Sequence, residues 1–213
     1  IGMSFQELNN PYFVTMQQAL EEAAASIGAK VLITDARHDV SKQTSDVEDM
    51  LQKKIDILLL NPTDSTGVEG VVKSAKNAKG PVDSFVGSKN YDAGVMACDY
   101  LGKALSGKGD VAILDGIPVV PILERVRGCK DALKKYPDIK IVTTQNGKQQ
   151  RDQARKKTEN MIQANPRLVG IFSVNDGGAM GALAAIDASG KDIKLVSVDG
   201  APEAIKAMQK PNS

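Results

Sequence analysis

The sequence predicts an α/β protein of doubly wound parallel sheets. Three observations carry that prediction: strand-like and helix-like segments alternate along the whole chain, most strand segments are apolar on both faces, and polar residues collect just after them. Alternation of this kind builds right-handed βαβ units, and a strand covered by helices on both sides has no polar face. With 213 residues the chain can form two lobes of about 100 each.

The first strand is Ile1 to Phe5. Asn10 followed by Pro11 reads as an N-cap with proline at the first helical position, so a helix spans 11–27 and Gly28 stops it. Further strands follow at Lys30 to Thr34, Ile57 to Leu60, Ser84 to Gly87, Asp110 to Leu114, Lys140 to Thr144, Val169 to Phe172 and Lys194 to Val198. Helices between and after them fall near 41–53, 66–78, 91–105, 122–136, 150–164, 177–189 and 202–209, with Gly190 just past the seventh. Two places break the pattern. Lys79 to Val82 is too short to supply a strand between the third helix and DSFVG, and Arg155 interrupts the apolar stripe Ala154, Thr158, Met161, Ile162.

Hydrophobic residues make up 42% and charged residues 25%, enough for a core and a hydrated surface. Lys+Arg 27 against Asp+Glu 26 gives a net charge of +1 without a basic face, which argues against nucleic acid as a partner. No apolar run reaches the roughly 18 residues of a membrane span. No leader is visible, since residue 1 already lies in a strand; the chain is either cytosolic or a mature form. Cys98 and Cys129 both fall on apolar helix stripes. They are either two small buried hydrophobes or, if their helices pack together in an oxidising compartment, a disulfide. His38, in the polar loop ARHDVSKQ, reads as solvated, and with two distant cysteines it makes no metal site.

No Walker A sequence, no G-x-G-x-x-G between strand and helix and no nucleophile elbow occurs, and one histidine leaves little for acid–base catalysis. Nothing asks for an enzyme or a cofactor. The polar residues at strand ends, Gln6, Asn10, Asn61, Asp115, Asn175 and Asp199, sit where open α/β sheets bind ligands. For Asn61 and Asp176 the expected role is helix capping; Asn175 and Asp199 are expected to face a cleft. LNNPYF sets the amide of Asn10 beside Tyr12 and Phe13. An amide fixes hydroxyls and flat rings cover C–H faces, as a sugar requires; one of the two rings at most is expected in the core instead. Arg127, in ERVRGCKDAL, either bridges two adjacent hydroxyls or is a surface arginine like Arg125.

Those residues carry a resemblance. LNNPYFVTM, ILLLNPTDS, ERVRGC, FSVNDGGAMGAL and SVDGAPEA stand in the order and at the intervals of bacterial periplasmic monosaccharide-binding proteins of the ribose-binding type, across essentially the whole chain. The resemblance implies two similar lobes joined by a hinge, residues 1–88 and 89–213, closing on one sugar in the cleft between them. It implies contacts from Gln6, Asn10, Tyr12 and Phe13 in the first lobe and from Arg127, Gln149, Asn175 and Asp199 in the second. Gln6 and Gln149 stand where the ribose binders have a serine and an aromatic ring, so another pentose, a hexose or a cyclitol is as well suited as ribose. The family also has a strand ending in an acidic contact where this chain has only Ala78 to Pro81, and a return segment after the position of Ser213. Deleting a central strand leaves its neighbours' backbone groups unpaired, so residues missing from the numbering there are expected rather than a deletion.

By the same resemblance the chain is expected to be a receptor in the periplasm, its signal peptide removed, acting as a monomer without metal or cofactor. It would deliver its sugar to the permease of an ABC importer and engage a chemoreceptor as a second partner. The runner-up readings are the effector-sensing core of a lactose-repressor-like regulator, which needs a DNA-binding headpiece, and the sugar-sensing domain of a membrane receptor, which needs a transmembrane segment.

Overall fold

The computed structural model describes residues 1–79 and 84–209 and divides the chain into two compact units, Ile1–Val86 and Gly87–Ser213. In the first unit β1 (Gly2–Phe5), β2 (Leu32–Asp35) and β3 (Leu58–Leu60) form a parallel sheet in the order β2-β1-β3. The helices are α1 (Pro11–Ser26), α2 (Val40–Gln52) and α3 (Glu69–Lys79). Asn10 caps α1 by accepting the Tyr12 N–H at 2.9 Å with Pro11 at the first position, and Gly28 takes φ +67° just beyond its end. One core cluster holds Met3, Phe5 and Phe13 and a second holds Val47, Val68 and Val71.

The second unit begins with α4 (Asn90–Ala104) and alternates β4 (Lys108–Asp115), α5 (Val120–Leu133), β5 (Asp138–Asn146), α6 (Arg151–Ala164), β6 (Leu168–Ser173), α7 (Asp176–Ser189), β7 (Lys194–Val196) and α8 (Pro202–Met208). Its parallel sheet runs β5-β4-β6-β7. Along the central strand the two-residue period sorts the core: Val111 and Ile113 pack with Cys98, Val126 and Cys129, while Ala112 and Leu114 pack with Ala154, Met161 and Ala182. Two helix pairs therefore cover opposite faces, α4 with α5 and α6 with α7.

Three sequence expectations need correcting. Ser84 to Gly87 forms no strand; no strand among the described residues pairs with it, and Phe85 is 79% and Val86 94% exposed. The expectation about Ala78 to Pro81 falls largely on residues outside those described. His38 is not solvated: its side chain is 12% exposed, with Nε2 3.4 Å from Glu7 Oε2, because consecutive left-handed residues, Arg37 (φ 52°) and His38 (φ 60°), fold it back onto the β1–α1 turn. Arg155 is no flaw in α6. Gly181 of α7 takes the crossing point, where an added Cβ would stand 2.2 Å from the Arg151 carbonyl oxygen, and the Arg155 side chain turns outward to bond Glu159. Of the two alternatives for the cysteines, the structure takes the second: Cys98 and Cys129 are disulfide-bonded, with Cα atoms 4.9 Å apart, because α4 and α5 do pack together.

Candidate functional site

Each unit gathers polar groups at the carboxyl ends of its strands, as parallel sheets do. In the first unit Gln6 follows β1 and is 3% exposed; its backbone N–H donates to Asn61 Oδ1 at 3.2 Å and its carbonyl accepts from the His38 N–H. Asn61 is therefore not a helix cap, and its amide ties the ends of β1 and β3 together. Beneath it lies Gln43, wholly buried, whose Nε2 donates to Ser4 Oγ (3.2 Å) and the Asn61 carbonyl (2.9 Å) while its Oε1 accepts from the Thr63 N–H (2.8 Å). Asn10 spends its Oδ1 on the α1 cap, and its Nδ2 makes no hydrogen bond among the described residues. Tyr12 is 59% exposed and stands edge-on to Phe13, with centroids 5.4 Å apart. Phe13 itself is 7% exposed and packs on Phe5, so one of the two rings belongs to the core.

In the second unit three loops converge. Asn175 caps α7 by accepting the Gly178 N–H at 3.0 Å, which leaves its Nδ2 buried without a partner among the described residues. A buried donor in that state costs about 1–3 kcal/mol unless something accepts from it. Asp199 follows β7 at φ 130°, a conformation nearly closed to L residues and held at a cost of about 1–3 kcal/mol by its surroundings. The surroundings are visible: Asp176, 3% exposed, accepts from the Gly200 (2.9 Å) and Ala201 (2.7 Å) N–H groups and from Ser197 Oγ, so it anchors the turn rather than merely starting α7. Asp199 Oδ1 accepts from Arg125 Nη1 at 2.8 Å, and Oδ2 faces the Asp176 N–H at 3.4 Å. Burial pushes the Asp199 pKa up from 3.8; Arg125 pulls it back and the Asp176 charge pushes it further up.

Arg125 is the residue that sequence reasoning passed over. Its Nε donates to Asn90 Oδ1 (2.9 Å) and its Nη1 to the Val174 carbonyl (2.8 Å) and to Asp199, while Nη2 makes no hydrogen bond among the described residues. Arg127 is not brought to this cluster. Two residues along a helix is a turn of about 200°, so it lies on the outer face, 58% exposed, paired with Glu124 and stacked 4.2 Å over the Tyr91 ring. The signal was present in the spacing: Arg125 is three residues after buried Ile122 and four before buried Cys129, whereas Arg127 sits three after Glu124. Gln149, at φ 59°, accepts the Ile117 N–H through Oε1 at 3.3 Å, and its carbonyl lies beside Gly177 at the start of α7. The second unit thus presents a guanidinium, an amide and a carboxylate in one place, a set that both donates to and accepts from neutral hydroxyls. No group of three or more His, Cys, Asp or Glu side chains among the described residues could hold a metal ion.

Comparison with known proteins places the chain in a family. A family model described as a periplasmic binding protein domain matches residues 1–213. The ribose import binding protein of Bacillus subtilis (strain 168) is 37% identical over an alignment 221 positions long that covers 98% of this chain and 72% of that protein. The D-allose-binding periplasmic protein of Escherichia coli (strain K12) is 29% identical over an alignment 227 positions long that covers 95% of this chain and 73% of that one. Among solved structures, an ABC transporter solute binding protein from Bacillus halodurans C-125 with bound myo-inositol superposes with a TM-score of 0.90 at 26% identity, covering 98% of this chain and 78% of that one. One from Actinobacillus succinogenes 130z with bound D-allose has a TM-score of 0.82 at 32% identity, covering 96% and 79%. With a family model matching its whole length and a relative 37% identical across 98% of it, the chain belongs to the periplasmic binding protein family.

Proposed function

We propose that this chain captures one monosaccharide, a pentose, a hexose or a cyclitol, between its two lobes and delivers it to an ABC importer. The observation that carries the reading is the buried Asn175 Nδ2, with no acceptor among the described residues, beside the Arg125–Asp199 pair and the strained Asp199 backbone. A sugar hydroxyl would satisfy the amide, and its neighbours would take the carboxylate and the free guanidinium nitrogen. In the first lobe Gln6, Asn10 and Asn61 supply amides and Tyr12 an apolar face, with Phe13 supporting that ring from the core. Gln149 adds a donor in the second.

Sugar that contacts both lobes favours the closed form by its differential affinity, and the closed form is what the permease recognises. The protein works in the periplasm as a monomer whose signal peptide has been removed, a chemoreceptor being its second partner. Binding rather than turnover is its role, and the names of its relatives support that. The test is calorimetric titration and thermal shift against D-ribose, D-allose, myo-inositol and xylitol. A true ligand at a hundred times its Kd stabilises by about 2.7 kcal/mol; no shift with any pentose, hexose or cyclitol refutes the reading.

A further inference from the structure

We infer that the Cys98–Cys129 bridge is a positioning device for Arg125, fixing the depth and rotation at which α5 presents its guanidinium. The inference rests on the sugar reading only for its binding readout.

The contact between α4 and α5 is built around the Arg125 turn. Asn90, Gly94 and Cys98 recur at four-residue spacing on one row of α4. Each meets α5 close to Arg125. Asn90 Oδ1 accepts from Arg125 Nε at 2.9 Å. Gly94 lies so near that an added Cβ would stand 2.0 Å from the Arg125 carbonyl oxygen. Cys98 is bonded to Cys129, one turn beyond Arg125 on the same face. From the other side, an added Cβ on Gly128 would stand 2.1 Å from the Tyr91 carbonyl oxygen. Backbone rests on backbone at two points, and the covalent bond closes the third.

That arrangement matters because Arg125 has no slack. Its Nη1 serves the Val174 carbonyl and Asp199 at 2.8 Å each, from elements remote in sequence. A slide or rotation of α5 by a fraction of an ångström lengthens both bonds together. Elsewhere along the contact Tyr91 stacks on Arg127 and donates to Asp131, and Tyr136 donates to Asp99; these ties lie on exposed or half-exposed side chains, and the bridge adds a buried covalent one a single turn from Arg125. Both cysteines are wholly buried, so the bond is not a surface staple.

The test uses the full oxidised chain, a Cys98→Ala/Cys129→Ala variant and a Gly94→Ala variant that keeps the bridge but pushes on Arg125. Two readouts are taken well below the melting temperature: the Kd for the tightest binder among D-ribose, D-allose and myo-inositol, and solvent exchange of the Arg125 Nε–H resonance by NMR. Contacts coupled in one network predict that the bridge-free variant, though folded, binds about tenfold more weakly and exchanges that proton about tenfold faster. Gly94→Ala weakens binding as much with the bridge intact, and in an Arg125→Lys background loss of the bridge costs no further affinity. A bridge-free protein with a lowered melting temperature but unchanged Kd and unchanged Arg125 exchange overturns the inference, since that is what a merely stabilising disulfide gives. If the bridge-free chain does not fold, Gly94→Ala decides, and wild-type Kd and exchange in it are equally fatal. Failure of the parent to bind any of the three sugars counts against the sugar reading, while Arg125 exchange still decides the positioning role.

Discussion

Arg125→Ala separates the geometry of this cluster from the arginine that the sequence motif suggests. The substitution removes one guanidinium from three acceptors: Asp199 Oδ1, the Val174 carbonyl and Asn90 Oδ1, at 2.8, 2.8 and 2.9 Å. A hydrogen bond to a charged group contributes about 1.5–3 kcal/mol and a neutral one about 1. The Asp199 side chain is 24% exposed, so water recovers part of the first term. The balance is roughly 3 kcal/mol of lost stability, a fall of about 10 °C in the melting temperature of a unit this size. For sugar binding the loss is about 2–4 kcal/mol, or roughly 30- to 700-fold in Kd. Calorimetry on the parent, Arg125→Ala and Arg127→Ala reads both quantities. Arg127 lies on the outer face with Glu124 and Tyr91, so its variant keeps the parent's Kd and melting temperature within error. If Arg127→Ala abolishes binding while Arg125→Ala spares it, the reasoning from this cluster is refuted.

Three further outcomes are expected of the same structure. Replacing both cysteines opens a loop with a sequence separation of 31 and should lower stability by about 3–4 kcal/mol on the chain-entropy account, checked by urea unfolding of the two proteins. Gln43→Leu leaves Ser4 Oγ, the Asn61 carbonyl and the Thr63 N–H without their partner and should cost about 2–4 kcal/mol; a melting temperature equal to the parent's would show that the network is dispensable. Asp199 has a raised pKa in the folded state, so its stability contribution is complete below 3.8, its unfolded value, and is lost as pH rises through the folded one. Asp199→Asn removes that loss. The melting-temperature difference between variant and parent should therefore grow in the variant's favour from about pH 3 to 7, while sugar affinity falls; a difference that is flat with pH contradicts the assignment.

Much of the fold was legible because its signals are local. Asn10 and Pro11 start α1 through contacts within one turn, and the apolar runs at Met3, Val111 to Leu114 and Leu168 to Phe172 announce strands buried on both faces. Ser84 to Gly87 shows the limit of such signals. Its residues favour a strand, but a strand is made by its neighbour, and none among the described residues pairs with it. The same holds for the site. Asn175 and Asp199 could be placed after their strands from pattern alone, whereas the choice between Arg125 and Arg127 turned on which helix face meets α4 and the β7 loop. Helical spacing from buried Ile122 and Cys129 puts Arg125 on the inner face, whereas the motif ERVRGC by itself does not tell its two arginines apart.

The sequence by itself determined the alternation of strands and helices, the capped start of α1, the polar strand ends and the family, since all of these depend on neighbours a few residues apart or on motif order. Only the tertiary structure decided that Cys98 meets Cys129, that His38 turns back onto Glu7, that Gln43 lies beneath Asn61, and that Arg125 reaches across 74 residues of chain to Asp199. Each of those pairings depends on how packed helices are rotated and how far they are slid. Glycines at the crossings and the ordering of remote loops set that geometry, and no periodicity along the chain encodes it.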